Sequence, residues 1–276
     1  MRFVGWPSWV LLSALAFSPG CRKIVRRHMR SRPQRVVAAP QRLVPLAAAQ
    51  PWATLTLDHF EPATVSVPLG ARWARPVVIA IHGRSDTAAA SCAAWSTITA
   101  GDCFVLCPSL RAAGANEADA SPADRTSIEC LADELREGIV ALRKRYGRYV
   151  ARNEVALAGF DGGAERAIPI ALQNPSVFSV LWLVNGGLKE WSSALSTTYL
   201  QRGGKLLGLV CTDASCELDA LRVTASAHAA GLTTTLVKPG QFGISLDARV
   251  VQAARQAWRD TKPAAWPWSI PLNLNK

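Results

Sequence analysis

The 276 residues are 49% hydrophobic and 18% charged, which excludes a chain too polar to bury a core and leaves room for one α/β domain of roughly 240 residues. The net charge of +11 says less than it suggests: seven Lys/Arg and no acid fall between Arg22 and Arg35, and setting those and Arg2 aside leaves 23 basic against 20 acidic residues, about +3. The basic character belongs to an arm, so no nucleic-acid-binding face is expected on the domain.

The first 21 residues, MRFVGWPSWVLLSALAFSPGC, carry one early charge, an apolar run over 9–17, then Ser18-Pro19-Gly20-Cys21. This resembles a secretory signal ending in a bacterial lipoprotein cleavage site, which implies lipid on Cys21 and a place in the cell envelope, membrane-anchored or secreted. Gly20 fits that pattern; Ser18 and Pro19 depart from its usual Leu-Ala/Ser pair. An uncleaved anchor is the competing reading, since residues 3–20 are just long enough to span a bilayer. The seven cations that follow would hold that end in the cytoplasm under the positive-inside rule, and a misassigned start is the third alternative. Residues 22–51 are basic and then Pro- and Ala-rich, a linker whose arm is either a solvated tether or a surface for anionic lipid or RNA.

From residue 52 the pattern becomes regular. Residues 52–58 and 64–69 alternate apolar and polar, an opening antiparallel hairpin. Residues 76–81, PVVIAI, are a continuous β-branched run of the kind buried on both faces of a parallel sheet, and 103–107, 155–158, 177–184, 205–210 and 233–237 are its further strands. Between them, 88–97, 127–146, 164–173, 191–200, 217–230 and 247–258 carry helical spacing or composition. Residues 109–123 have no period and lie as a loop over the strand ends. The residues from Pro263 to Pro271 hold two Trp and three Pro and are expected to be irregular. The expected organisation is thus 1–21 signal or anchor, 22–51 arm and linker, 52–260 domain and 261–276 tail. Strands alternating with helices imply a mostly parallel central sheet of about eight strands, covered by helices on both faces.

Seven cysteines include six beyond Cys21, an even number that suits an oxidising compartment. Cys211 and Cys216 are close enough to clip a loop, and Cys92 with Cys107 would pin a helix to a strand; buried free thiols are the alternative. No CxxC occurs and the four histidines are scattered, so no metal site is expected, nor any cofactor.

The chemistry centres on residues 154–173, EVALAGFDGGAERAIPIALQ. A buried strand runs into Gly159-Phe160-Asp161-Gly162-Gly163 and then a helix, the spacing of a nucleophile elbow. With His82-Gly83 after the strand at 76–81, and Cys211-Thr212-Asp213 after the strand at 205–210, the chain resembles the α/β-hydrolase superfamily, particularly its small esterase, dienelactone-hydrolase and depolymerase-like branches, over about residues 52–258. That resemblance implies Asp161 in the nucleophile position, Asp213 in the acid position, His82 in the oxyanion loop, and an oxyanion hole from the backbone N–H of Gly162 and one near Arg84. It also implies a small ester-like ligand.

Two departures weaken catalysis. Asp stands where the common elbow has Ser. Asp elbows occur in branches resembling haloalkane dehalogenases and epoxide hydrolases, where the carboxylate attacks carbon and a His-activated water hydrolyses the ester. Asp also tolerates the left-handed turn with no catalytic role. The segment 238–245, KPGQFGIS, where the family places its His, has none, and Gln241 accepts no proton at neutral pH. His228 falls too early in the chain, and His82 shapes its loop. Asp213 can equally cap the following helix. The reading is an exported protein of hydrolase fold with a degenerate triad; the alternatives are an active hydrolase using Asp161 with an unusual base, and a membrane-surface or RNA binder acting through the arm.

Overall fold

The computed structural model describes residues 42–84, 86–111, 127–240 and 246–265, all within one compact unit that begins at Pro40. Eight strands form one sheet: β1 (Trp52–Leu55), β2 (Ala63–Ser66), β3 (Arg75–Ile81), β4 (Phe104–Cys107), β5 (Val150–Phe160), β6 (Val180–Val184), β7 (Leu206–Val210) and β8 (Thr233–Val237), in the spatial order β1-β2-β4-β3-β5-β6-β7-β8. β1 and β2 are antiparallel to each other, β2 is antiparallel to β4, and every other pair is parallel. The connecting helices are α1 (Ala88–Ile98), α2 (Ile128–Tyr146), α3 (Gly162–Gln173), α4 (Ser193–Gln201), α5 (Ala214–Ala229) and α6 (Ala248–Ala265).

The apolar runs of the parallel strands are explained by two cores, one on each face. Along β3, Val77, Ile79 and Ile81 enter the core shared with α2 to α5, while Val78 and Ala80 enter the core shared with α1 and α6. This is the two-residue alternation of a strand with both faces covered. In the second core Trp95, Trp182 and Trp258 meet with ring centroids 5.8–6.3 Å apart. Gly208 is the register partner of Trp182 on β7, and a Cβ there would sit 2.4 Å from the indole, so the glycine makes room for the ring.

Boundaries move where capping and pairing override local pattern. β5 begins at Val150, five residues before the apolar run, because Val150 pairs with Arg75 across a bulge. α3 begins at Gly162 and α5 at Ala214, earlier than apolar spacing alone suggests. α6 continues through Pro263 to Ala265, so the first residues expected as irregular tail are helical: a proline removes one ladder bond, and here it falls in the final turn. Part of the stretch expected as linker is fastened to the domain: Leu43 and Leu46 donate backbone N–H to Arg72 and Ala71 at 2.7 and 2.9 Å, and Leu46 is buried.

Both candidate disulfides form. Cys92–Cys107 ties α1 to β4, and Cys211–Cys216 ties the end of β7 to the first turn of α5.

Candidate active site

Because β3 to β8 run parallel, their carboxyl ends lie at one end of the sheet, and the loops carrying His82, Arg84, Asp161 and Asp213 leave from that end. The elbow is at its centre. Asp161 has φ +52° and ψ −123°, a conformation that costs a residue with a Cβ about 1–3 kcal/mol. Its surroundings hold it there. The Asp161 N–H donates to the Val184 carbonyl at 2.8 Å, and its own carbonyl accepts from Ala164 N at 2.9 Å. A Cβ at Gly159 would lie 2.5 Å from Ala164 Cα, one at Gly163 2.3 Å from the Ile81 carbonyl, and one at Gly186 2.3 Å from the Asp161 carbonyl. These three glycines let three chain segments touch. The Asp161 side chain is half-buried and does not cap α3.

The His82–Arg84 loop packs on the head of α3. His82 is half-buried, and its Nδ1 donates to the Gly83 carbonyl at 2.8 Å, which leaves Nε2 as the acceptor of the neutral ring. The Arg84 side chain runs past Gly162, with its Cγ and Nε 3.6 Å from where a Cβ on that glycine would be. The Gly162 N–H is one of the first amides of α3, which no intrahelical carbonyl can reach. The resemblance implies an oxyanion-hole role for this amide with one near Arg84; what the structure shows of the pair is the Arg84 side chain beside Gly162.

The acid side is different. Asp213 follows β7 as expected, but its Oδ1 accepts from Cys216 N at 2.9 Å, so the carboxylate is the N-cap of α5. The turn is held twice more: Asn185 donates to Thr212 Oγ1 at 2.6 Å and accepts from Thr212 N at 2.9 Å, and the Cys211–Cys216 disulfide closes around it. His228 is exposed in the last turn of the same helix. Fifteen residue steps of helix place it about 22 Å along the axis from Asp213, toward the opposite end of the sheet, so it is no substitute base. Residues 241–245, including Gln241, and Cys21 with the whole amino-terminal segment lie outside the described residues. Among the described residues no group of three or more His, Cys, Asp or Glu is placed to hold a metal ion, and no helix is long and apolar enough to cross a membrane.

One part of the site was not anticipated. Glu134, on α2, is 2% exposed and accepts from Ser109 N (2.8 Å), Ser109 Oγ (3.2 Å) and Leu110 N (3.2 Å). Burial pushes its carboxyl up to about 7, against the opposing pull of those hydrogen bonds and of Arg166. Arg166, on α3, donates from Nε to the Gly162 carbonyl and from Nη2 to the His82 carbonyl, each at 3.3 Å. Burial and the nearby Arg84 charge lower its proton affinity, while Glu134 and Glu165 oppose them. A signal was present: Glu134 interrupts the stripe Leu131, Leu135, Gly138, Leu142 that α2 buries, a place where a carboxylate needs partners.

Comparison with known structures follows the same architecture. The fold is that of the α/β-hydrolases. A dienelactone hydrolase-like promiscuous phosphotriesterase from metagenomic libraries superposes with a TM-score of 0.55 at 12% identity, covering 78% of this chain and 98% of its own. The dienelactone hydrolase of Anabaena variabilis gives 0.54 at 16% identity, with 79% and 100% covered. An S-formylglutathione hydrolase from Agrobacterium tumefaciens gives 0.55 at 13%, with 81% and 99% covered. At the level of sequence, neither a family model nor a curated protein matches.

Proposed function

We propose that this α/β-hydrolase-fold protein is an exported, catalytically degenerate relative of the esterases, which keeps the elbow and its backbone donors as a site for a small ester-like ligand. The observation that carries the reading is Asp213: the residue in the acid position spends its carboxylate on Cys216 N, and the chain has no histidine after His228 for it to orient. Loss of a general base typically lowers a rate roughly 10²–10⁴-fold, and an oxyanion hole alone sustains only residual turnover. The two disulfides support an oxidising compartment, and lipid on Cys21 would hold the chain at a membrane surface.

One observation favours a second reading. His82 is held with Nδ1 toward Gly83, so its Nε2 is available as an acceptor on the same sheet edge as Asp161. Asp161 would then attack the substrate carbon and displace the leaving group, forming an ester from an alkyl substrate or an anhydride from an acyl one, and water giving up its proton to His82 Nε2 would cleave that bond and return the Asp161 carboxylate.

The deciding experiment is an assay with p-nitrophenyl esters and haloalkanes. The expected result is no turnover above a boiled control. Robust turnover that disappears in Asp161→Ala would overturn the first reading and establish the second.

A further inference from the structure

The near neutrality of the domain, 23 basic against 20 acidic residues once the arm and Arg2 are set aside, conceals a polarity. The candidate site lies at the carboxyl end of the parallel strands, and a group of cations lies at the other. Register fixes that other end. Arg75 opens β3 and pairs with Val150 at the start of β5, and antiparallel pairing puts Trp52, the first residue of β1, opposite Ser66, the last of β2. One corner there is tied together by hydrogen bonds between segments distant in the chain. Leu43 and Leu46 donate to the Arg72 and Ala71 carbonyls, Gly70 donates back to the Leu46 carbonyl, Tyr149 Oη donates to the Val44 carbonyl at 2.8 Å, and Arg145 Nη1 donates to the Thr54 carbonyl at 2.7 Å. Arg42, Arg72, Lys144, Arg145, Arg148 and Arg152 fall at this corner, and all are exposed. The dipole of α2 accounts for Lys144 and Arg145 in its last turn, but not for the other four. The acids of α2, Glu129, Asp133, Glu134 and Glu137, fall earlier in the helix, toward the opposite end; Asp102, which precedes β4 at the cationic end, is half-buried. Beside the cations are large apolar side chains in solvent: Val44 is 77% exposed, Leu69 45% and Trp52 40%.

We propose that this corner is a docking face for an anionic bilayer surface, which seats the domain with its strand starts against the headgroups and turns the Asp161 end toward water. Two observations select that occupant. The first is complementarity: six exposed cations meet anionic headgroups, while Trp52, Val44 and Leu69 meet the apolar layer beneath them, a layer that a nucleic acid does not offer. The second is connectivity. The chain that precedes Arg42 joins the domain at this corner, and it carries the seven cations between Arg22 and Arg35 and the apolar run at 9–17. The orientation rests on the reading that this segment brings the chain to a membrane. The segment cannot impose the orientation by itself, because the 21 residue steps from Cys21 to Arg42 reach up to about 75 Å when extended. The face does so, each cation near the surface being worth roughly fivefold in the ratio of docked to undocked domain. A domain seated this way meets its ligand from the aqueous side, so the ester-like ligand is a water-soluble one and not a lipid drawn from the bilayer.

The full-length chain is mixed with vesicles of phosphatidylcholine, alone or with phosphatidylglycerol, that carry a nitroxide on a fraction of their headgroups. Flotation reports attachment, and quenching of tryptophan fluorescence, taken as the difference between the unaltered chain and Trp52→Phe, reports whether the corner touches the surface. The expected result is Trp52 quenching on the phosphatidylglycerol vesicles, absent on phosphatidylcholine alone and lost at 1 M salt, where the screening length is only about 3 Å. Replacing three exposed cations together, Arg72→Gln, Lys144→Gln and Arg152→Gln, should lower the docked-to-undocked ratio on the order of 100-fold and abolish the quenching while flotation persists. Attachment without Trp52 quenching, or quenching that survives in the triple variant, overturns the proposal. A chain that does not float on phosphatidylcholine overturns anchoring by the amino-terminal segment and leaves the face to be judged on phosphatidylglycerol vesicles alone: binding that falls on the order of 100-fold in the triple variant upholds it, and binding that is absent or unchanged overturns it. Binding of a single-stranded RNA that the triple variant loses, with no Trp52 quenching on either vesicle, assigns the corner to nucleic acid and likewise overturns the proposal.

Discussion

The elbow and the acid side lie at the same end of the sheet and are held by different things. At the elbow, Gly159, Gly163 and Gly186 each sit where a Cβ would strike another segment's backbone, and Asp161 keeps the strained turn. On the acid side, the carboxylate of Asp213 caps a helix, its turn is closed by a disulfide and by Asn185, and no histidine follows His228. The contrast separates what folding requires from what catalysis requires. Backbone crossings at the elbow are part of the packing of β3, β5 and α3, so losing them would unfold the edge whether or not anything is hydrolysed. A side chain needed only for catalysis would have no such second task, and Asp213, in the position the resemblance gives to the acid, has a structural task in helix capping.

The largest expected effect is at the elbow. Gly163→Ala places a methyl 2.3 Å from the Ile81 carbonyl and 2.6 Å from that of His82, and backbone cannot retreat as a side-chain tip can. Overpacking of this kind costs typically 1–3 kcal/mol and occasionally more, and a loss of about 3 kcal/mol in urea unfolding is expected here. Gly162→Ala, one residue away, meets only Arg84 at 3.6 Å and should change stability by less than about 0.5 kcal/mol. Equal effects at the two positions would break the distinction between packing glycines and permissive ones.

Comparable in size, but visible only as a pH dependence, is the contribution of Glu134. Its carboxyl binds a proton more tightly in the folded chain, where burial holds it at about 7, than in the unfolded chain at 4.5. Between those values the folded state holds the extra proton, so this group's contribution to stability is full below pH 4.5, falls as pH rises, and levels off above about 7. At 1.36 kcal/mol per unit the difference is roughly 3 kcal/mol. Chemical unfolding measured across that window should show the slope in the unaltered protein and lose it in Glu134→Gln. A slope that persists in the variant would assign it to other groups and leave Glu134 a silent part of α2.

How far the sequence could be read follows the same division. The strands at 76–81 and 205–210 were legible because both faces are buried, and an uninterrupted β-branched or aliphatic run of that length fits little else. The elbow was legible because its glycines are close together in the chain, and the Cys211–Cys216 disulfide because its cysteines are five residues apart. What stayed hidden depends on contacts between distant segments. The bridge from Arg166 to His82 spans 84 residues, and the bond from Glu134 to Ser109 spans 25. Neither has a local pattern beyond a charge on a buried stripe. The early start of β5 was hidden for the same reason, since its first pair is with Arg75 across a bulge.

The smallest expected effect bears most directly on the acid side. If Asp213 is a cap and nothing else, Asp213→Ala removes one hydrogen bond to Cys216 N and should cost about 1 kcal/mol, within the usual range for a lost N-cap. Asp213→Asn should then be close to neutral, because an amide oxygen caps as well as a carboxylate and only the interaction of the charge with the helix dipole is lost. A triad acid would behave in the opposite manner. Its amide variant keeps the fold and loses the charge that steadies an imidazolium, so any turnover of an ester would collapse in Asp213→Asn while stability held. Thermal unfolding of the two variants, read beside the ester assay, therefore places Asp213 on one side of the comparison or the other: stability falling in Ala and recovering in Asn marks the cap, and activity lost in Asn marks the acid.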